Sequence, residues 1–313
     1  MKYLGARLFQ SAWALIAVVF FAFVLLRLIP GDPVVLLLGV HATPEAIAKV
    51  NSDFGLNNSI MQQFLQFILH VLHGDLGNSI LKHTPVLSTI LDRLWVSVFL
   101  VSISVVISLV ISLCLGGISA IYKNKLPDQI LRFVTTIAFA VPSFWLGLMF
   151  ILFFSLKLGM FPVGGYGGSF IEIFHQLMLP SLTISFYLSP QLIRTLRSSL
   201  IEALESSYIE AARARGYSQT SIVTRSALKN ALIPLISVLS INIGFLFSGT
   251  VVVESVFQLP GLGALLVNSV LSRDYPVIQG LVIVFGVLVI FTNLLADVAY
   301  TIFDPRIRNN RTK

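Results

Sequence analysis

The chain has 313 residues, 56% of them hydrophobic and only 11% charged, with a mean hydropathy of +0.89. Water-soluble domains carry about 25% charged residues, so this composition excludes a surface that faces water on all sides. The formal net charge of +7 fits a nucleic acid or an anionic membrane as partner, and the placement of the charges decides between them.

A membrane-spanning helix needs about 20 mostly apolar residues. The first such run, residues 8–26, holds no Lys, Arg, Asp or Glu. It leads into Arg27-Leu28-Ile29-Pro30-Gly31-Asp32-Pro33 without a small-residue cleavage site, so it reads as an uncleaved anchor rather than a signal peptide. Thr43-Pro44-Glu45 then predicts a helix start, with Thr43 as cap and Pro44 in the first turn. Residues 60–73 place Met61, Phe64, Leu65, Ile68 and Leu72 at helical spacing, but the stretch is short, holds three glutamines and stops at Gly74. It is expected to be an amphipathic helix lying on the membrane or on the protein. Further apolar runs follow at 94–122, 133–156, 173–193, 231–253 and 275–296. The run at 173–193 carries His175, Gln176, Pro180 and Pro190, which membrane helices tolerate where neighbours re-satisfy the freed carbonyls. Cys114, the sole cysteine, sits inside the second run, so no intrachain disulfide forms. The fold class is an all-α integral membrane protein with about six transmembrane helices. An anchor helix with an external loop occupies 1–93, and a five-helix core occupies 94–313.

Orientation follows from Lys and Arg in the loops. With the N-terminus inside, only Arg27, Lys49, Lys82, Arg93, Lys157 and Arg273 of the 21 basic residues fall on or near the outer side. Both termini are therefore expected in the cytoplasm. Membrane orientation accounts for the positive charge, and no nucleic-acid partner is needed.

The largest inside segment, 194–230, is too long for a simple connector. It holds Ser207-Tyr208-Ile209-Glu210-Ala211-Ala212-Arg213-Ala214-Arg215-Gly216. Ser207 and Glu210 have capping-box spacing, and Gly216 suits the left-handed residue that closes a helix. The three alanines make a surface that another protein can approach closely. A second helical stretch, about 219–232, leads to Pro234 and the fifth span.

Glu210-Ala211-Ala212 with Gly216 three residues after Arg213, in the last large inside loop, resembles the EAA motif of ABC importer permeases. Nearly the whole chain is similar to the dipeptide, oligopeptide and nickel group of those permeases. The likeness runs through Leu28-Ile29-Pro30-Gly31-Asp32-Pro33, Gly74-Asp75-Leu76-Gly77-Asn78-Ser79 with Thr84-Pro85-Val86, Pro142-Ser143-Phe144-Trp145 and Arg194-Thr195-Leu196-Arg197-Ser198-Ser199. It continues through Val252-Val253-Glu254-Ser255-Val256-Phe257-Gln258-Leu259-Pro260-Gly261-Leu262-Gly263, Arg273-Asp274-Tyr275-Pro276-Val277-Ile278-Gln279-Gly280, Asn293-Leu294-Leu295-Ala296-Asp297 and Asp304-Pro305-Arg306. Two positions depart from the group: Ser226 stands where a histidine is usual, and Trp95-Val96-Ser97 replaces a usual Pro-x-Thr.

The resemblance implies a type I ABC importer permease fold in the inner (cytoplasmic) membrane of a bacterial or archaeal cell. It implies a substrate path that alternates between inward- and outward-facing states. The partners it implies are a homologous second permease, two ABC ATPase subunits that carry ATP and Mg, and an external substrate-binding protein. Ser207, Tyr208, Glu210, Ala211, Ala212, Arg213, Arg215 and Gly216 would then form the coupling helix that docks on an ATPase subunit. Glu254, Pro260, Gly261, Gly263, Arg273 and Asp297 are candidate gate or structural residues, because charges at membrane edges usually face a cavity or a partner.

The chain has no Gly-x-x-x-x-Gly-Lys-Ser/Thr phosphate loop, no HExxH site and no nucleophile elbow. It is therefore expected to be non-catalytic, to bind no cofactor or metal itself, and to borrow its energy from a partner. His41, His70, His73, His83 and His175 all fall on or near the outer side. His70 and His73 could share a helix face, but a metal needs several convergent ligands. The cargo is expected to be dipeptides or oligopeptides, with nickel or glutathione as alternatives. An ion-coupled secondary transporter would need acids well inside the spans, whereas here they lie at span ends. A membrane-embedded enzyme would need paired catalytic residues within spans, and none is found.

Overall fold

The computed structural model describes residues 2–28, 43–45 and 58–303, and these are almost wholly helical. Ten helices carry the description: α1 Lys2–Leu28, α2 Ile60–Leu72, α3 Val86–Ile121, α4 Leu126–Ala140, α5 Ser143–Phe150, α6 Phe170–Leu204, α7 Ser207–Ala214, α8 Leu228–Val256, α9 Leu262–Leu271 and α10 Tyr275–Phe303. The chain divides into two compact units, residues 1–95 with 265–290, and residues 96–264 with 291–313.

In the first unit, α2 is the short amphipathic helix expected at 60–73. It begins with a capping box between Ser59 and Gln62, and it buries none of its own residues fully. Phe64, Phe67, Ile68 and Val71 pack against Val19 and Ala22 of α1 and Ile283 of α10. The Phe23 and Phe64 rings lie 5.1 Å apart, so this helix leans on the protein. Gly280 and Gly286 let chains approach closely here. A Cβ at Gly280 would lie 2.6 Å from Val86, and one at Gly286 would lie 2.6 Å from Val18. Of the predicted start at Thr43-Pro44-Glu45, Pro44 and Glu45 are helical, while residues 46–57 lie outside the described ones.

In the second unit, α6 is the most buried helix and α8 packs most extensively upon it. The polar content of α6 follows from that position, because a helix shielded by its neighbours need not be apolar all round. α3 presents Ser104, Ser108 and Ser112 on one buried face. Each hydroxyl donates to the carbonyl four residues earlier, at 2.6–2.7 Å, which leaves none of these three stranded in an apolar bundle. From α6, Ser185 donates to the carbonyl of Ser104 at 2.9 Å. Small residues let helix backbones approach where no water drives them together.

The run expected to form one span at 133–156 is broken. Val141 has φ −77° and ψ 126°, and Pro142 caps α5. α4 and the helix through Ser143–Lys157 meet at a bend of 102°. The cause is local, since the proline ring pushes the preceding residue out of the α region and the apolar run conceals the stop. Among the described residues, three helices are long and apolar enough to cross a membrane, and the bent pair makes a fourth if it counts as one span. α1 is apolar over a shorter stretch, Phe9–Val24, and α6 falls outside this set despite its length. The 27 residues of α1 reach about 40 Å, and α6 is longer still.

Candidate functional site

α7 is the predicted Ala-rich helix, and its bounds are Ser207–Ala214. It is fixed to the unit through Ile209, which is fully buried, and through Tyr208, whose hydroxyl accepts a 2.8 Å hydrogen bond from the Asn230 side chain. Glu210, Ala211, Arg213, Ala214 and Arg215 are exposed and Ala212 half-buried. The expected Ser207–Glu210 capping box does not form. The N-cap is Ser206, one residue earlier, and its side chain makes no cap bond; its hydroxyl donates to the carbonyl of Ala203 instead. Ser207 is thereby the first helical residue, and Glu210 lies one position too far along to close the box.

The far end does close on Gly216, at φ +78°. The Gly216 N–H reaches the carbonyl of Arg213 at 2.9 Å and the Tyr217 N–H that of Ala212 at 3.2 Å, the pair of bonds that defines a Schellman motif. The stretch expected at 219–232 is helical but does not end near Pro234. A turn at Gln219–Ser221 passes through a π-helical stretch, Ile222–Ala227, straight into α8, which carries Pro234 inside it.

A buried ion pair ties the approach to this helix into the bundle. Arg197 grips Asp128 with two parallel bonds, Nε to Oδ1 at 2.6 Å and Nη2 to Oδ2 at 2.7 Å. Ser119 donates to the same carboxylate at 2.6 Å and the Asn124 N–H at 2.9 Å. Asp128 is fully buried and Arg197 is 19% exposed, so removing the carboxylate leaves a largely buried guanidinium without its partner. Asp128→Ala is expected to lower stability by about 3 kcal/mol, read as a fall in the thermal midpoint of the purified protein. Adding Arg197→Met should restore much of that loss; no recovery in the double variant would contradict the pairing.

Glu254, Gly261 and Gly263 come together at the junction of α8 and α9. Gln258, at φ +52°, and the Leu259 N–H bonded to the carbonyl of Glu254 turn the chain at the end of α8. Pro260 follows where a helix cannot continue. The fully buried Glu254 carboxylate then accepts the N–H groups of Gly263 and Ala264 at 2.7 and 3.1 Å, and the Ser97 hydroxyl at 2.6 Å. The Ser97 oxygen in turn accepts the Leu262 N–H at 2.8 Å. The carboxylate thus satisfies the free amides at the start of α9. A Cβ on Gly261 would sit 2.3 Å from the Glu254 carboxyl carbon, and one on Gly263 would sit 2.4 Å from the Val251 Cα. Ser97 belongs to the triplet that departs from the usual Pro-x-Thr.

Arg273 belongs to the other unit. Its φ of +56° places it at the left-handed position closing α9, and its side chain is exposed. Its neighbour Asp274 is buried and binds the Ser79 hydroxyl and the Ile80 N–H. Asp297 lies in α10, but its side chain, like His41, is outside the described residues. Among the described residues no group of three or more His, Cys, Asp or Glu could hold a metal ion. His70 Nδ1 pairs with Asp75 at 3.1 Å, His73 donates to the carbonyl of Leu69, and His175 to that of Met160. The Gly77 N–H, with help from His70, holds the Asp75 carboxyl below the usual carboxylate range.

Residues 112–309 match the family model described as the binding-protein-dependent transport system inner membrane component, and residues 1–101 match the model for the N-terminal part of such membrane components. The chain belongs to this family, the permease subunits of ABC importers. It is 34% identical over 305 residues to a protein described as a peptide transport system permease of Brucella abortus, covering 96% of this chain and 97% of that one. It is 35% identical over 308 residues to the glutathione transport system permease protein GsiC of Salmonella typhimurium, covering 98% and 99%. Among solved structures it is similar to the inward-facing MetNI methionine ABC transporter, with a TM-score of 0.58 at 19% identity over 69% of this chain and 96% of that chain. An amino acid ABC transporter with histidines gives 0.53 at 14%, covering 68% and 94%. At such identities the likeness is one of fold.

Proposed function

We propose that this permease forms half of the substrate path of an importer for dipeptides or oligopeptides, and that α7 is the docking point for an ATPase subunit. The observation that carries the reading is the exposure of α7: a short helix held by Ile209 and Tyr208 at its start, with Glu210, Ala211, Arg213 and Ala214 exposed. Such a lever transmits force when gripped, because its root is fixed and its surface is close-fitting. ATP hydrolysis on two partner subunits would drive alternating access. A second permease would complete the path, an external binding protein would deliver cargo, and the segment 1–93 would supply the anchor and outer loop. The name of the Brucella relative supports peptides as cargo, and the name of GsiC supports glutathione, itself a tripeptide, as a second reading. An ion-coupled mechanism is disfavoured because Glu254, the buried acid of α8, already has its oxygens occupied by protein donors.

Everything here requires that α7 face the nucleotide. In a Cys114→Ser background, Thr220→Cys should react with a membrane-impermeant maleimide only after the membrane of spheroplasts is opened. Labelling in intact spheroplasts would overturn the docking role.

A further inference from the structure

The cleft between α4 and α6 is lined by Arg132, Arg194, Arg197 and Thr136 and encloses about 280 Å³. Arg197 is committed to Asp128. Arg132 and Arg194 are exposed, and neither forms an ion pair among the described residues. Three guanidinium charges against one carboxylate leave the cleft with two uncompensated positive charges. Arg132 immediately precedes the apolar run that begins at Phe133, and Arg194 immediately follows the one that ends at Ile193. Both therefore stand at one membrane boundary, whichever way the chain is oriented. Beyond Arg132 and Thr136 on the same face of α4 stands Phe139, whose ring stacks on Tyr187 of α6 at 6.1 Å, and both rings are exposed. An exposed apolar pair leading from a basic cleft at the depth of the headgroups has the two chemistries of one molecule, an acyl chain and a phosphate.

We infer that this cleft is a binding site for an anionic phospholipid, with the phosphate between Arg132 and Arg194 and the acyl chains along α4. Guanidinium groups suit phosphate because their planar forks donate two parallel bonds. The site abuts the Asp128–Arg197 pair, so an occupied cleft would also brace the root of the α6–α7 connection.

Native mass spectrometry of the full-length chain with its co-purifying partners, stripped of lipid and titrated, tests this. Phosphatidylglycerol should be retained at least about tenfold better than phosphatidylcholine. Arg132→Gln with Arg194→Gln should weaken it roughly 25-fold, about fivefold for each arginine. Arg132→Lys should keep most of the retention, and Lys157→Gln, at the opposite boundary, should keep all of it. Phe139→Glu should weaken lipid retention although it leaves both arginines in place. Equal retention of phosphatidylcholine, or no change in the double variant, would overturn the site. Displacement of the lipid by inorganic phosphate alone would assign the cleft to a soluble anion, and displacement by a peptide with a free carboxylate would assign it to cargo; either outcome overturns the lipid reading. Should the double variant fail to fold, the preference measured on the unaltered chain and on Phe139→Glu decides.

Discussion

Gly216→Leu is expected to leave the protein in the membrane at its normal level while abolishing uptake and the cargo-stimulated ATPase activity of the assembled transporter. At φ +78° a Cβ costs about 1–2 kcal/mol. That is too little to unfold a chain whose stability is of order 5–15 kcal/mol, but enough to open the turn that closes α7. No atom lies within 4 Å of a Cβ built on Gly216, so the penalty is conformational and not a clash. The substitutions should therefore rank by their tolerance of the left-handed region, with Asn milder than Ala and Ala milder than Leu. Leucine adds an apolar bulge on the surface a partner must approach. Glu210→Lys should reach the same endpoint by another route, reversing a charge on the exposed face without touching the turn. Uptake assays in intact cells, paired with ATPase measurements on the reconstituted complex, separate loss of coupling from loss of protein. Normal coupling in both variants would leave α7 without its proposed role.

What could be read from residues alone was what local chemistry encodes. Apolar runs located the helices, the Lys and Arg pattern set an expected orientation, and Gly216 announced a left-handed turn that the chain makes. The short helix at 60–73 was legible because its length and glutamines conflict with a span. The break at Val141-Pro142 was concealed because hydropathy is continuous across it, although the pre-proline restriction was there to be read. The capping box failed for a smaller reason: in Glu205-Ser206-Ser207-Tyr208 either serine can begin the helix, and nothing within ten residues decides which. Gln258 and Arg273 close helices in a conformation that neither residue type advertises.

Long-range partners were beyond sequence reading. Asp128 and Arg197 are 69 residues apart and Ser97 and Glu254 are 157 apart, so no periodicity links them. Asp128 did carry one local signal, an acid in the first turn of a helix with proline at its start. That signal explains why a helix begins there but not which arginine the acid would meet.

Glu254→Ala is expected to be the most damaging single change in the second unit. It removes the acceptor for the Gly263 and Ala264 amides and for the Ser97 hydroxyl at once, in a place where water cannot replace it. Each stranded donor costs about 1–3 kcal/mol, so the start of α9 should detach, with a large drop in thermal midpoint and in the amount of membrane-inserted protein. Glu254→Gln is the informative comparison. Its carbonyl can still accept from Gly263 and Ala264, and its amide can donate to the Ser97 oxygen, leaving only the Ser97 proton to seek another acceptor. A loss of about 1 kcal/mol is expected, with uptake largely kept. If the charge itself served cargo passage, Gln would abolish uptake in a protein that still folds. Gly263→Ala completes the test from the backbone side, since its Cβ would press on the Val251 main chain, which cannot rotate away as a side chain can. Alanine at 263 should therefore approach Glu254→Ala in severity, because both dismantle the same contact between the end of α8 and the beginning of α9.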